Sequence, residues 1–163
     1  MENSLYLLIY LSRSSVDFSK TQLVDLCAAA ASNNQTVEVT GLLLCIGNKF
    51  LQVLEGPKEA VTRLYKKIRK DDRHTQCNIL FEGQTSQRLF EQWSMNFLQM
   101  KDDYFLQFEE FKEIKEYAER LLSEPDKRKD GIVKLIQKIP HILKSNKIQL
   151  DIISPCNADS GKY

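Results

Sequence analysis

Residues 37–57 read VEVTGLLLCIGNKFLQVLEGP. Val37–Ile46 and Lys49–Leu54 are apolar, β-prone runs, and Gly47-Asn48 between them is a two-residue hairpin signal. The stretch therefore predicts two antiparallel strands. Inside the second run one residue breaks the pattern: Gln52 is an amide between Leu51 and Val53. Burying an amide without partners costs about 1–3 kcal/mol. Gln52 either faces water or meets a polar partner inside, and a buried polar ligand is one such partner.

The pattern extends outward in both directions. Residues 5–12, LYLLIYLS, read as a strand. Ser19 and Gln22 form a capping box that opens a helix. Its apolar face carries Leu23, Val24, Cys27, Ala28 and Ala31, and Ser32-Asn33-Asn34 ends it. Downstream of the hairpin, Pro57 suits the first position of a second helix, with Val61, Leu64, Tyr65 and Ile68 on one face. A charged loop over Asp71–His74 leads to a strand over Cys77–Glu82. A fifth strand is expected over Gln92–Leu98, with Trp93, Met95 and Phe97 on one face.

This order predicts an α+β fold: a ferredoxin-like βαββαββ mixed sheet with two helices on one face. Residues 103–122 and 131–144 are amphipathic helices, the second bent or ended near Pro140. They most simply cover the other face of the sheet. The expected organisation is a sheet domain over 1–100, a helical pair over 101–147 and a tail over 148–163.

Composition bounds the function. The chain has 163 residues, 42% hydrophobic and 28% charged, which is ordinary for a globular domain. Its 23 basic and 22 acidic residues nearly cancel, so no bulk field favours nucleic acid or an anionic membrane. The apolar runs are too short to span a bilayer, and the N-terminus shows no signal-peptide pattern. Cys27, Cys45, Cys77 and Cys156 form no C-x-x-C pair, and His74 and His141 stand apart, so no metal site is expected. Three of the cysteines sit in apolar contexts, which fits a reducing cytoplasm.

Each polar or aromatic residue of interest also has a plain structural reading. Tyr10 alone is a core tyrosine, and Trp93 and Met95 alone are core residues. Asn33-Asn34 alone is a helix-ending turn, and Lys67, Asp71 and Arg73 alone are a solvated loop. Four segments taken together change this: LIYLSRSS around Tyr10, SNNQTVEVTGLLL, NKFLQVLEGPKEAV, and the pair DDRH and EQWSM. In order and spacing, from about Leu5 to Phe97, the chain resembles the BLUF family of flavin-using blue-light sensors. Past residue 100 only the layout is similar, to short members that end in two helices.

The resemblance implies a flavin between the first two helices, FAD with FMN as the alternative. It implies that Tyr10 donates an electron and a proton to the excited ring and that Gln52 lies between Tyr10 and the ring. Asn34 would hold a ring edge with Asn33 nearby, and Trp93 and Met95 would be switch residues on strand five. Lys67, Asp71 and Arg73 fall where the family contacts the ribityl and phosphate part. The resemblance implies a sensor and not an enzyme. No effector segment fits in roughly the last 65 residues, so a separate downstream protein or the chain's own assembly is the expected output, and the amphipathic C-terminal helices suit a homo-oligomer. A ferredoxin-like RNA-binding module and a small acyl-phosphate hydrolase are the competing classes. The first lacks the aromatic motif and basic surface it needs, and the second lacks a phosphate-cradling loop with paired Arg and Asn.

Overall fold

The Gly47-Asn48 turn joins strands β2 (Thr40–Ile46) and β3 (Lys49–Pro57), with Ile46 opposite Lys49. Gly47 has a φ of 60°, so the turn takes glycine at its first central position, as type II′ hairpins do. The computed structural model describes residues 4–91, 95–99, 107–123 and 130–145. Strand β1 (Leu5–Ser14) lies between β3 and β4 (His74–Thr85), antiparallel to both. Strand β5 (Asn96–Gln99) pairs in parallel with β2, so the sheet is mixed, in the order β4-β1-β3-β2-β5. This is the ferredoxin-like arrangement the element order predicts, with one strand added at the β2 edge.

Period-two alternation divides the sheet into two faces. On one face Leu8, Tyr10, Leu43, Cys45, Phe50 and Leu54 pack under helices α1 (Lys20–Thr36) and α2 (Lys58–Arg69). On the other Leu7, Ile9, Leu11, Leu42, Leu44 and Val53 pack under helices α3 (Glu109–Ser123) and α4 (Asp130–Ser145). Each fully buried Leu or Ile contributes about 1.5–3 kcal/mol relative to exposure. Both faces are thus covered, the second by Phe111 and Ile114 of α3 and Ile132, Ile136 and Ile139 of α4. No open sheet platform for stacking RNA bases is left among the described residues.

Helix α1 begins as predicted: Ser19 accepts from the Gln22 amide and the Gln22 side chain accepts from the Ser19 amide. It ends later, at Thr36 rather than Ala31. Asn34 continues the face of Leu23, Cys27 and Ala31 and is itself buried, so the helix keeps its inward stripe for one more turn. The amides of Val37 and Val39 then close on the Asn34 carbonyl, and Glu38 takes a φ of 57° to reverse the chain. The second strand accordingly starts at Thr40, not Val37.

Pro57 is the N-cap of α2 rather than its first residue, because it still pairs with Leu5 in extended conformation. Pro140 does not end α4, which runs on to Ser145. An interior proline costs about 3 kcal/mol, and here Ile139, Ile142 and Leu143 are buried on either side of it and hold the segment down. Strand five starts at Asn96, so Met95 precedes it, and Trp93 and the tail over 148–163 lie outside the described residues.

Candidate functional site

Tyr10 and Gln52 are direct cross-strand partners on β1 and β3. Both are buried on the face under α1 and α2, and the Tyr10 hydroxyl donates a hydrogen bond to Gln52 Oε1. The amide that breaks the apolar pattern of β3 is therefore matched by a phenol. Its other end points to the residue just before strand five: Gln52 Nε2 donates to the sulfur of buried Met95 at 3.4 Å. Beside Tyr10 the β1–β4 register shifts between Ile9 and Tyr10, a bulge that adds local twist. Burial pushes the Tyr10 hydroxyl well above the usual phenol range, so it is a proton donor throughout the neutral range. The Tyr65 ring of α2 tilts against it with centroids 5.0 Å apart.

A cleft of about 220 Å³ opens between α1 and α2 above this pair. Its walls are apolar and partly small: Leu26, Ala29 and Ala30 from α1, Leu64 and Ile68 from α2. Its floor holds Leu43, Gln52 and Met95, and Asn33 and Asn34 stand at the end of α1. Lys67, Asp71, Arg73 and His74 line the remaining side. Asp71 binds the Arg73 guanidinium at 2.5 Å and its amide at 3.0 Å. These contacts hold the Asp71 carboxyl well below the usual carboxylate range. His74 is bonded to Ser12 Oγ at 3.1 Å and lies against Phe50. Cys27 also lines the cleft, and burial pushes its thiol up to about 12, which disfavours the reactive thiolate.

The structure thus gathers Tyr10, Asn33, Asn34, Gln52, Lys67, Asp71, Arg73 and Met95 around one cleft or in contact with its floor. From sequence, Tyr65 is only a helix-face residue and His74 only part of a charged loop. The i, i+3, i+4, i+7 spacing of Val61, Leu64, Tyr65 and Ile68 points Tyr65 at the sheet, and that is the available signal. A planar ligand with a polar edge fits: narrow apolar walls, side-chain amides that both donate and accept, and charged groups for a hydrophilic tail.

The fold and cleft define a small-molecule binding module on a ferredoxin-like sheet. Residues 5–96 match the family described as "BLUF: Sensors of blue-light using FAD", and the chain belongs to that family. It is 36% identical over 89 residues to the photoactivated adenylate cyclase subunit alpha of Euglena gracilis, covering 55% of this chain and 9% of that one. The chain therefore spans about a tenth of the length of that curated relative. Among solved structures it superposes on the dark state of the BLUF protein BlrB with a TM-score of 0.69 at 25% identity. That match covers 88% of this chain and all of the other, 100%. A bacterial light-regulated adenylyl cyclase matches with a TM-score of 0.64 and 31% identity, over 73% of this chain and 34% of that one. No helix among the described residues is long and apolar enough to cross a membrane.

Proposed function

We propose that this chain is a blue-light photoreceptor that binds a flavin non-covalently in the cleft between α1 and α2. The observation that carries the reading is the buried Tyr10–Gln52 hydrogen bond at the cleft floor. A bound flavin supplies a blue-absorbing ring that, once excited, accepts an electron and a proton. Tyr10 is the donor: a phenol gives up one electron readily and its hydroxyl becomes far more acidic when it does. Gln52 lies in the path of that proton, with its acceptor end on Tyr10. The amide has one accepting and one donating end, so turning it over exchanges the groups offered to Tyr10, Met95 and the ring. Two hydrogen-bond patterns are then available with little backbone motion, and light shifts the population between them.

Asn34 holds the polar ring edge with Asn33 beside it. Lys67, Asp71 and Arg73 receive the ribityl and phosphate portion, and the family's description favours FAD over FMN. The chain performs no net turnover. Its signal passes from Gln52 through Met95 and Trp93 toward the helical layer of α3 and α4 and on to a separate protein, with a homo-oligomer as the working assembly. The relatives named photoactivated adenylate cyclases support the view that such a module hands its state to an effector. Among the described residues Cys27 and Cys45 are buried and Cys77 is half-buried, which suits a cytoplasmic setting.

Absorption tests the reading. Purified protein should be yellow, and blue light should move its visible band reversibly to longer wavelength. Heat-released cofactor, separated chromatographically, distinguishes FAD from FMN. A colourless protein that cannot be reconstituted with either flavin would overturn the proposal.

A further inference from the structure

On the opposite face of β3 from Gln52 lies Glu55, fully buried at 0% exposure. Its carboxyl oxygens accept three hydrogen bonds, from the Phe90 amide at 2.6 Å, the Leu89 amide at 2.8 Å and the Thr40 hydroxyl at 2.9 Å. Half-buried Arg88 completes the group. Its guanidinium donates to Thr40 Oγ1 at 2.8 Å, to the Glu55 carbonyl at 3.1 Å and to the Glu38 carbonyl at 2.7 Å. A turn that follows β4 is thus bonded to both β2 and β3. Phe90, next to this turn, is buried in the core shared with α3 and α4, whereas Met95 is buried on the other face against Gln52. The two residues stand five positions apart in sequence and in different layers.

We propose that Glu55, Thr40 and Arg88 are positioning residues for the light response. They clamp residues 88–90 to β2 and β3 and so hold Met95 on the Gln52 amide at one end and Phe90 on the helical layer at the other. This rests on the role given above to Gln52. The donors fit a carboxylate: both of its oxygens accept, and a glutamine in its place turns an N–H toward at least one of them. Arg88 spans three acceptors on three residues, a geometry that the single ammonium of lysine cannot reproduce. The clamp leaves the cleft untouched, so it acts through Met95 and not on the ligand.

Two readouts test this in the full chain as purified. Methyl-¹³C methionine spectra report Met95 directly, its signal assigned by loss in Met95→Leu. Arg88→Ala, Thr40→Val and Glu55→Gln should each move or broaden the Met95 methyl signal in the dark. An unchanged Met95 signal alongside a lowered melting temperature would show a purely structural role and overturn the proposal. The second readout is return of the red-shifted band in darkness, expected to slow by about three- to tenfold, the scale of a weak hydrogen bond. In a Met95→Ala background the same substitutions should leave recovery unchanged, and an undiminished effect there would also refute the clamp. Arg88 is half-buried and bonds mainly to backbone, so Arg88→Ala serves if Glu55→Gln fails to fold. Absence of any light-driven shift in the unaltered protein would count against the photoreceptor reading, while the methionine spectra would still decide the clamp.

Discussion

Tyr10 and Gln52 face each other across the β1–β3 ladder and share a hydrogen bond in the core, with the phenol as donor and the amide oxygen as acceptor. The phenol is then the group whose removal separates binding from photochemistry. Tyr10→Phe keeps the ring that packs on Tyr65 and removes only the hydroxyl. It should retain flavin and lose the light-driven shift. The Gln52 oxygen is left without its donor, at a cost of about 1–3 kcal/mol read as a lower denaturation midpoint. A photocycle of normal amplitude in Tyr10→Phe would end the assignment of Tyr10 as donor.

Gln52→Leu tests the acceptor side. Leucine fits the apolar strand around it and fills much of the same volume, so the sheet should form. The Tyr10 hydroxyl then has no partner in a buried site, again about 1–3 kcal/mol. Flavin should still bind between α1 and α2, because the walls from Leu26 to Ile68 are intact. The reversible spectral shift should vanish, as measured by difference absorption under blue light. Persistence of a normal shift would mean that the amide does not carry the switch.

The order of strands was legible because LYLLIYLS and TGLLLCI are short, β-prone apolar runs bounded by turn signals, and such continuous runs mark strands buried on both faces. Gln52 was legible as an anomaly, since it is a lone amide inside such a run. The end of α1 was misread because Asn33-Asn34 is a usual stop signal, and only burial of Asn34 on the Leu23–Cys27–Ala31 stripe overrides it. The Glu55–Arg88 clamp could not be read at all. Arg88 bonds two backbone carbonyls and a hydroxyl, and Glu55 bonds two backbone amides and the same hydroxyl. Most of these partners are backbone groups without a side-chain signature, and they come from residues 15 to 50 positions away.

Gly41 marks a close approach that the apolar run TGLLL conceals. A Cβ at this position would sit 2.0 Å from the Val53 carbonyl oxygen and 3.4 Å from the terminal methyl of Met95. The first contact is with backbone, which cannot swing aside. Gly41→Ala should therefore force β2 and β3 apart, costing about 1–3 kcal/mol and roughly 3–10 °C in melting temperature. An alanine variant that melts with the parent protein would contradict this packing.

His74 gives the cleft a pH dependence with a defined sign. Burial disfavours its charged form and lowers its pKa, and Arg73 acts in the same direction while Asp71 opposes them. The unfolded chain, with an ordinary histidine pKa of about 6.5, therefore binds a proton more readily than the folded one. Stability linked to His74 is fully present above that value and is lost as pH falls from it toward the lowered folded pKa. Urea midpoints at pH 7.5 and 5.5 should differ more in the unaltered protein than in His74→Asn. Asparagine removes the titration while leaving a polar group toward Ser12, whose hydroxyl is 3.1 Å from Nδ1. Asp71 titrates lower still, so its carboxylate remains bound to Arg73 through this window and does not account for the difference. Equal pH dependence in the two proteins would rule out His74 as its source.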